Sequence, residues 1–149
     1  MDAKFSQRIK DVLSYSKEEA VRLGNKYMSV EHLFLGLLRD GEGLAIDVLI
    51  MLGAELYDLR KEIEEHVRDD EISSITDSDN IPLLKSTERV LKLVYLEARS
   101  LKDQMIDTGH LLLAILKDEN NYASQLLMEK NIEYEIVRKE LENTEFEDK

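Results

Sequence analysis

The sequence predicts an all-α fold of eight short helices, built as a tandem, pseudo-two-fold repeat of a four-helix unit. Three observations predict it. First, the stretch Ser29–Asp40 (SVEHLFLGLLRD) recurs, altered, as Asp107–Asp118 (DTGHLLLAILKD), so that His32 and His110 lie 110 − 32 = 78 positions apart. Second, that single offset aligns most of the chain without a gap. Val12-Leu13 meets Val90-Leu91, Glu19-Ala20 meets Glu97-Ala98, Leu23 meets Leu101, and Arg60-Lys61-Glu62 meets Arg138-Lys139-Glu140. An ungapped match over about sixty positions marks a duplicated unit. Third, apolar residues recur at helical spacing, while no alternating run of β-branched residues is bounded by turns, so no sheet is expected.

The elements follow in order. Ser6 is a plausible N-cap for a helix running towards Leu23, with Ile9, Val12, Leu13, Ser16, Ala20 and Leu23 as its buried stripe. Gly24-Asn25 supplies the stop, and Tyr27 and Met28 are expected to pack the connection onto the core. Ser29 caps a second helix whose first turn holds Val30, Glu31 and His32. A carboxylate there is favoured by about 0.3–1 kcal/mol near free backbone N–H groups. Leu33 to Leu38 are apolar nearly all round, which predicts a central, buried helix. Asp40-Gly41-Glu42-Gly43 makes a turn, a third helix spans Leu44 to Leu52, and a fourth uses Leu56, Leu59, Ile63 and Val67.

The second unit repeats this order. Val90, Leu91, Val94, Leu96, Ala98 and Leu101 serve its first helix and Leu111 to Leu116 its second. Ala123, Leu126 and Leu127 serve the third, and Ile136, Val137 and Leu141 the fourth. One domain over 1–149 is expected, with repeats at about 5–67 and 83–145 and an acidic connector over 68–82 that ends at the only proline, Pro82. Glu145 to Lys149 read as a fraying end or the start of a linker. Each unit alone has little core, so the two are expected to share one.

Composition narrows the function. The chain has 43% hydrophobic and 35% charged residues and no cysteine, and its start lacks the apolar core of a signal peptide. No apolar run approaches the roughly 20 residues of a membrane span. A cytoplasmic address and no membrane partner are expected. The net charge of −12 argues against nucleic acid, whose phosphates need clustered Lys and Arg.

Catalytic and cofactor motifs are missing. There is no GxxxxGK[ST] loop, GxGxxG turn, GxSxG elbow or HExxH pair, so no catalytic residue, no metal site and no bound ATP are expected. His32 and His110, at equivalent first-turn positions, read as structural histidines at the repeat interface, and His66 as a solvated one. The many carboxylates single out no acid/base pair, which leaves a small hydrolase without a motif behind it.

The block Phe5-Ser6-Gln7-Arg8 through Val12-Leu13, Glu18-Glu19-Ala20 and Leu23-Gly24, followed by Val30 to Gly43, resembles the Clp N-terminal domain, most closely that of the ClpC type. The likeness covers about residues 3–143, and the first repeat carries it more specifically than the second. It implies a monomeric domain that docks protein substrates and adaptors for an AAA+ unfoldase ring and its peptidase. ATP and magnesium would bind only in ATPase modules lacking here. The alternative is a stand-alone peptide- or adaptor-binding module. The resemblance also implies a phosphoarginine pocket in each repeat: a Glu at the start of the second helix holds the guanidinium, and donors near helix N-termini hold the phosphate. Glu31 matches that Glu, and Ser6 stands where the family usually has Thr. In the second repeat Gly109 and Leu84 replace both partners, so one occupied pocket, near Glu31 and Ser6, is expected.

Overall fold

The computed structural model describes residues 4–69 and 78–147. Among them are eight α-helices: α1 (Gln7–Arg22), α2 (Val30–Asp40), α3 (Leu44–Met51), α4 (Leu56–Val67), α5 (Lys85–Ser100), α6 (Thr108–Lys117), α7 (Tyr122–Glu129) and α8 (Tyr134–Glu147). Corresponding helices of the two halves start 78 positions apart throughout. Local chemistry explains the boundaries. The Ser6 hydroxyl oxygen accepts the Ile9 N–H at 3.1 Å and opens α1. Gly41 at φ +70° closes α2 and Gly43 at φ +97° leads into α3, both in the left-handed region where a Cβ is strained.

Helices α2 and α6 form the centre. Leu33, Phe34, Leu35 and Leu37 of α2 and Leu111, Leu112, Leu113 and Ile115 of α6 are buried, as their all-round apolar pattern predicts. Helix α1 runs antiparallel to α2. Arg8, near its start, donates to Asp40 at the end of α2 at 2.7 Å, and Ser16 faces Gly36 midway. That approach is close enough that a Cβ on Gly36 would lie 2.2 Å from the Ser16 Oγ.

The halves are interlocked by a small sheet that the sequence pattern does not show, which corrects the expectation of none. β1 (Lys4–Phe5) pairs in parallel with β2 (Met105–Ile106), in the register Lys4↔Met105 and Phe5↔Ile106. The same offset turns the second of these pairs into the isolated bridge Met28↔Leu83. The segment leading into each repeat thus crosses to the other repeat and pairs just ahead of its second helix. The physical reason is satisfaction of backbone groups: the Ser6 N–H reaches the Ile106 carbonyl at 2.8 Å and the Met28 N–H the Pro82 carbonyl at 2.8 Å. Two residues per strand are too few to leave a periodic signal.

Four smaller expectations also change. Tyr27 is 51% exposed whereas Met28 is buried, so only Met28 packs the connection. Leu96 (52% exposed) and Ile136 (38%) leave their stripes: at about 100° per residue, position 96 lies about 160° round the helix from Val94 and from Ala98, and position 136 about 140° from Leu141. Of the connector, residues 70–77 lie outside the described residues, but Ser78–Asn80 form a 3-10 turn and Ile81 is buried in the core. Helix α8 continues through Glu147, beyond the expected fraying point, and Asp148 and Lys149 lie outside the described residues.

Candidate functional site

His32 and His110 are helix caps. The Nδ1 of His32 accepts the Ser29 N–H at 2.9 Å, closing a capping box, and its Nε2 lies 2.7 Å from the Asn25 Oδ1. Because Nδ1 accepts, the ring proton belongs on Nε2, and the neutral imidazole is fully satisfied. Burial accordingly lowers its pKa from 6.5 to about 4, against an opposing pull from Glu19. His110 repeats the arrangement with Asp107 N–H on Nδ1 at 3.0 Å and Asp103 Oδ2 at 2.6 Å from Nε2. Each caps the start of its own helix and ties it to a loop residue of its own repeat, Asn25 or Asp103. His66 is exposed, yet one face stacks on Tyr122 of α7, with ring centroids 3.8 Å apart.

The crossing of the leading segments creates two junctions of helix starts, related by the pseudo-two-fold. One gathers the starts of α2, α5 and α7, and the other those of α6, α1 and α3. At the first, Glu31 Oε2 accepts the Tyr122 N–H at 2.8 Å. A carboxylate on the first turn of α7 satisfies an otherwise orphaned donor and complements the helix dipole. Leu84 caps α5 beside it, its N–H donating to the Met28 carbonyl at 3.2 Å. At the second junction the Thr108 hydroxyl accepts the Ala45 N–H at 3.2 Å, so α6 reaches α3 by a different residue.

Gly109 is the counterpart of Glu31, and Leu44 that of Tyr122. The clasp between them has no side chain to form it, and a cavity of about 310 Å³ stands there. It is lined by Leu44, Leu101, Met105 and Leu141, with Asp103 and Asp107 at its polar side. Leu141 closes over the glycine: a Cβ on Gly109 would lie 2.9 Å from its Cδ2.

The two residues expected to share a ligand do not meet. Ser6 lies at the second junction, where its hydroxyl donates to Asp107 Oδ1 at 2.8 Å while accepting from Ile9. Glu31 lies at the first. Because Arg8 is bonded to Asp40, Ser6 sits near the end of α2 and Glu31 at its start. Asp40 is nine positions beyond Glu31 on α2, about 14 Å along the axis. A guanidinium and the phosphate attached to it cannot bridge that distance. Among the described residues no three His, Cys, Asp or Glu side chains are grouped to hold a metal, and no helix is long and apolar enough to cross a membrane.

Residues 4–130 match the family model described as the Clp repeat (R) N-terminal domain. The chain belongs to that family. Relatives of this Clp repeat domain include the "Chaperone protein ClpB" of Oceanobacillus iheyensis, 30% identical over 141 residues that make up 95% of this chain and 17% of that protein. The "Negative regulator of genetic competence ClpC/MecB" of Bacillus subtilis is 31% identical over 142 residues, again 95% of this chain and 17% of that protein. The fold is that of the N-terminal domain of ClpD from Arabidopsis thaliana, with a TM-score of 0.70 at 20% identity over 93% of this chain and 94% of that one. The Clp repeat domain therefore spans 17% of the length of the first two relatives. Its duplication was legible in the chain, but the crossing that separates Ser6 from Glu31 was not. The available signal was the extended lead of each repeat, Lys4-Phe5 and Pro82-Leu83, which ends at an N-cap and needs a backbone partner.

Proposed function

We propose that this domain docks protein substrates and adaptors for an ATP-driven Clp unfoldase and its peptidase, in the cytoplasm, without a catalytic step of its own. The observation that carries the reading is membership of the Clp repeat family over residues 4–130. Supporting it are exposed apolar side chains on a chain of net charge −12, among them Tyr95, Leu96 and Met105. By this reading ATP and magnesium act in the ATPase modules of a longer protein, and the domain itself is a monomeric binding module. The second reading, a stand-alone peptide- or adaptor-binding module, differs only in what the reading frame encodes after Lys149. A GxxxxGK[ST] loop there decides for the unfoldase.

Recognition of phosphoarginine is the finer part of the reading. It needs a carboxylate for the guanidinium and a donor for the phosphate in one pocket. The Glu31 junction has the carboxylate but Leu84 in place of the donor. The Ser6 junction has the hydroxyl but Gly109 in place of the carboxylate. Each holds half of the pair, so weak binding of free phosphoarginine is expected at both. The test of the docking function is titration of the isolated domain with a labelled, permanently unfolded polypeptide. Saturable binding is expected, and its absence would refute the proposed role.

A further inference from the structure

We propose that the outward face of α5 is a docking surface for an acidic segment of a partner protein, one that carries an apolar residue among its carboxylates. This rests on the docking function above and names a partner class for it. Lys85, Arg89, Lys92, Leu96 and Arg99 follow one another at spacings of four, three, four and three residues, and all are exposed. At about 100° per residue they fall within an arc of about 80°, and they run about 21 Å along the helix. Leu96 lies inside the arc, 52% exposed. Glu88 and the half-exposed Tyr95 border it on one side, and the Phe5 ring packs on Tyr95 with centroids 5.2 Å apart. The result is a straight basic stripe with an apolar point among its cations.

The stripe is uncompensated within the molecule. Arg8, Arg22, Arg39, Arg60 and Arg138 each meet a carboxylate. Lys85, Arg89, Lys92 and Arg99 meet none among the described residues. Like charges four residues apart destabilise a helix by about 0.2–0.5 kcal/mol per pair, and Lys85 on the first turn also opposes the helix dipole. Only Arg99, in the last turn, complements that dipole. Nor does the fold require the stripe: α1 carries Gln7, Asp11, Ser14, Glu18 and Val21 at the matching positions, with no cation. Charge and length choose the occupant. The chain carries −12 overall, but at 0.15 M ionic strength the Debye length of about 8 Å confines an approaching group to the charges near it. A short acidic segment therefore meets the stripe, whereas a long polyanion or an anionic membrane extends over the acidic remainder and is repelled. The two arginines offer carboxylates a paired-donor fork, and Leu96 beside Tyr95 gives the partner's apolar residue an anchor.

The experiment uses fluorescence anisotropy at 0.15 M salt with three labelled peptides of equal length: one of Glu, Leu and Ala, one with Lys for each Glu, and one with Ala for each Leu. Arg89→Glu with Lys92→Glu reverses the charge of the stripe. Lys10→Glu with Lys61→Glu makes the same change of net charge at exposed lysines elsewhere. The Glu/Leu peptide is expected to bind at least about tenfold more tightly than either control peptide. The stripe double variant is expected to weaken it by about tenfold or more, the control double variant by less than about twofold, and Leu96→Ala by about threefold to tenfold. All these positions are exposed, so each variant is expected to keep the wild-type circular dichroism. Equal loss in the two double variants, or equal binding of the peptide without Leu, would overturn the proposal. Tighter binding of phosphatidylglycerol vesicles or of single-stranded DNA would overturn a protein segment as the occupant. So would self-association of the free domain that the stripe variant abolishes, because a second copy would then sit there. If an unfolded polypeptide binds the wild type but the Glu/Leu peptide does not, docking stands and this surface fails. If neither binds, the docking function fails with it.

Discussion

Replacing Gly36 by alanine pits two physical effects of opposite sign against each other. Alanine is the better helix former by about 0.8–1 kcal/mol in a helix interior, so propensity alone predicts stabilisation. The packing predicts the reverse. A Cβ at position 36 would lie 2.2 Å from the Ser16 Oγ and 2.6 Å from the Val12 carbonyl oxygen. The hydroxyl has somewhere to turn only by giving up its 2.8 Å bond to that same carbonyl. The carbonyl belongs to the backbone of α1 and moves only if α1 and α2 separate. Overpacking of this kind costs about 1–3 kcal/mol, and the disturbed hydrogen bond about 1 more. The net loss is about 2 kcal/mol, or roughly 4–8 °C in Tm for a domain of this size. Urea unfolding followed by far-UV circular dichroism measures it. Ser16→Ala in the same chain removes the clash with the hydroxyl but not with the carbonyl, so it should recover only part of the loss. A Gly36→Ala domain as stable as wild type, or more so, would refute the close approach of the two helices. The second repeat carries Ala114 and Val94 at the matching positions, and Ala114 is buried, so Ala114→Gly there should cost the propensity term of about 1 kcal/mol plus about 0.8 kcal/mol for the lost methyl.

Three other outcomes follow from the site. Glu31→Gln should cost about 1 kcal/mol of stability and speed amide exchange at Tyr122, because a neutral acceptor replaces a carboxylate at the start of α7; an unchanged stability would mean that Glu31 is held for a ligand only. The folded-state pKa of His32, lowered to about 4 by burial, makes the unfolded chain the better proton binder below its ordinary 6.5. Its contribution is therefore full above that value and lost as pH falls towards about 4, an effect of up to about 3 kcal/mol. His32→Gln, which keeps a capping-box side chain, should flatten unfolding free energy against pH over that window, and an unaltered slope would contradict the burial. Leu84→Thr should strengthen calorimetric binding of free phosphoarginine at the Glu31 junction by about tenfold, one charge-assisted bond's worth; no gain would show that the two groups do not converge there.

The chain by itself determined the duplication, the order of the helices and most of the core. These depend on short-range periodicity and on caps such as Ser6, Ser29 and Gly41, whose effects act within a turn or two of where they stand. It also located the chemistry that differs between the halves: Glu31 against Gly109 and Ser6 against Leu84. Only the tertiary structure decided which of these share a site. The sequence offset pairs Ser6 with Leu84 and Glu31 with Gly109, but says nothing about which lead crosses to which half. The parallel pairing of Lys4-Phe5 with Met105-Ile106 and the bridge of Met28 with Leu83 settle it, carrying Ser6 to Gly109 and Leu84 to Glu31. The same crossing opens an apolar recess at Gly109 and draws Glu31 onto Tyr122, 91 residues away in the chain. Contacts at that separation arise from backbone groups seeking partners across the whole fold, and a one-dimensional repeat carries no record of the crossing.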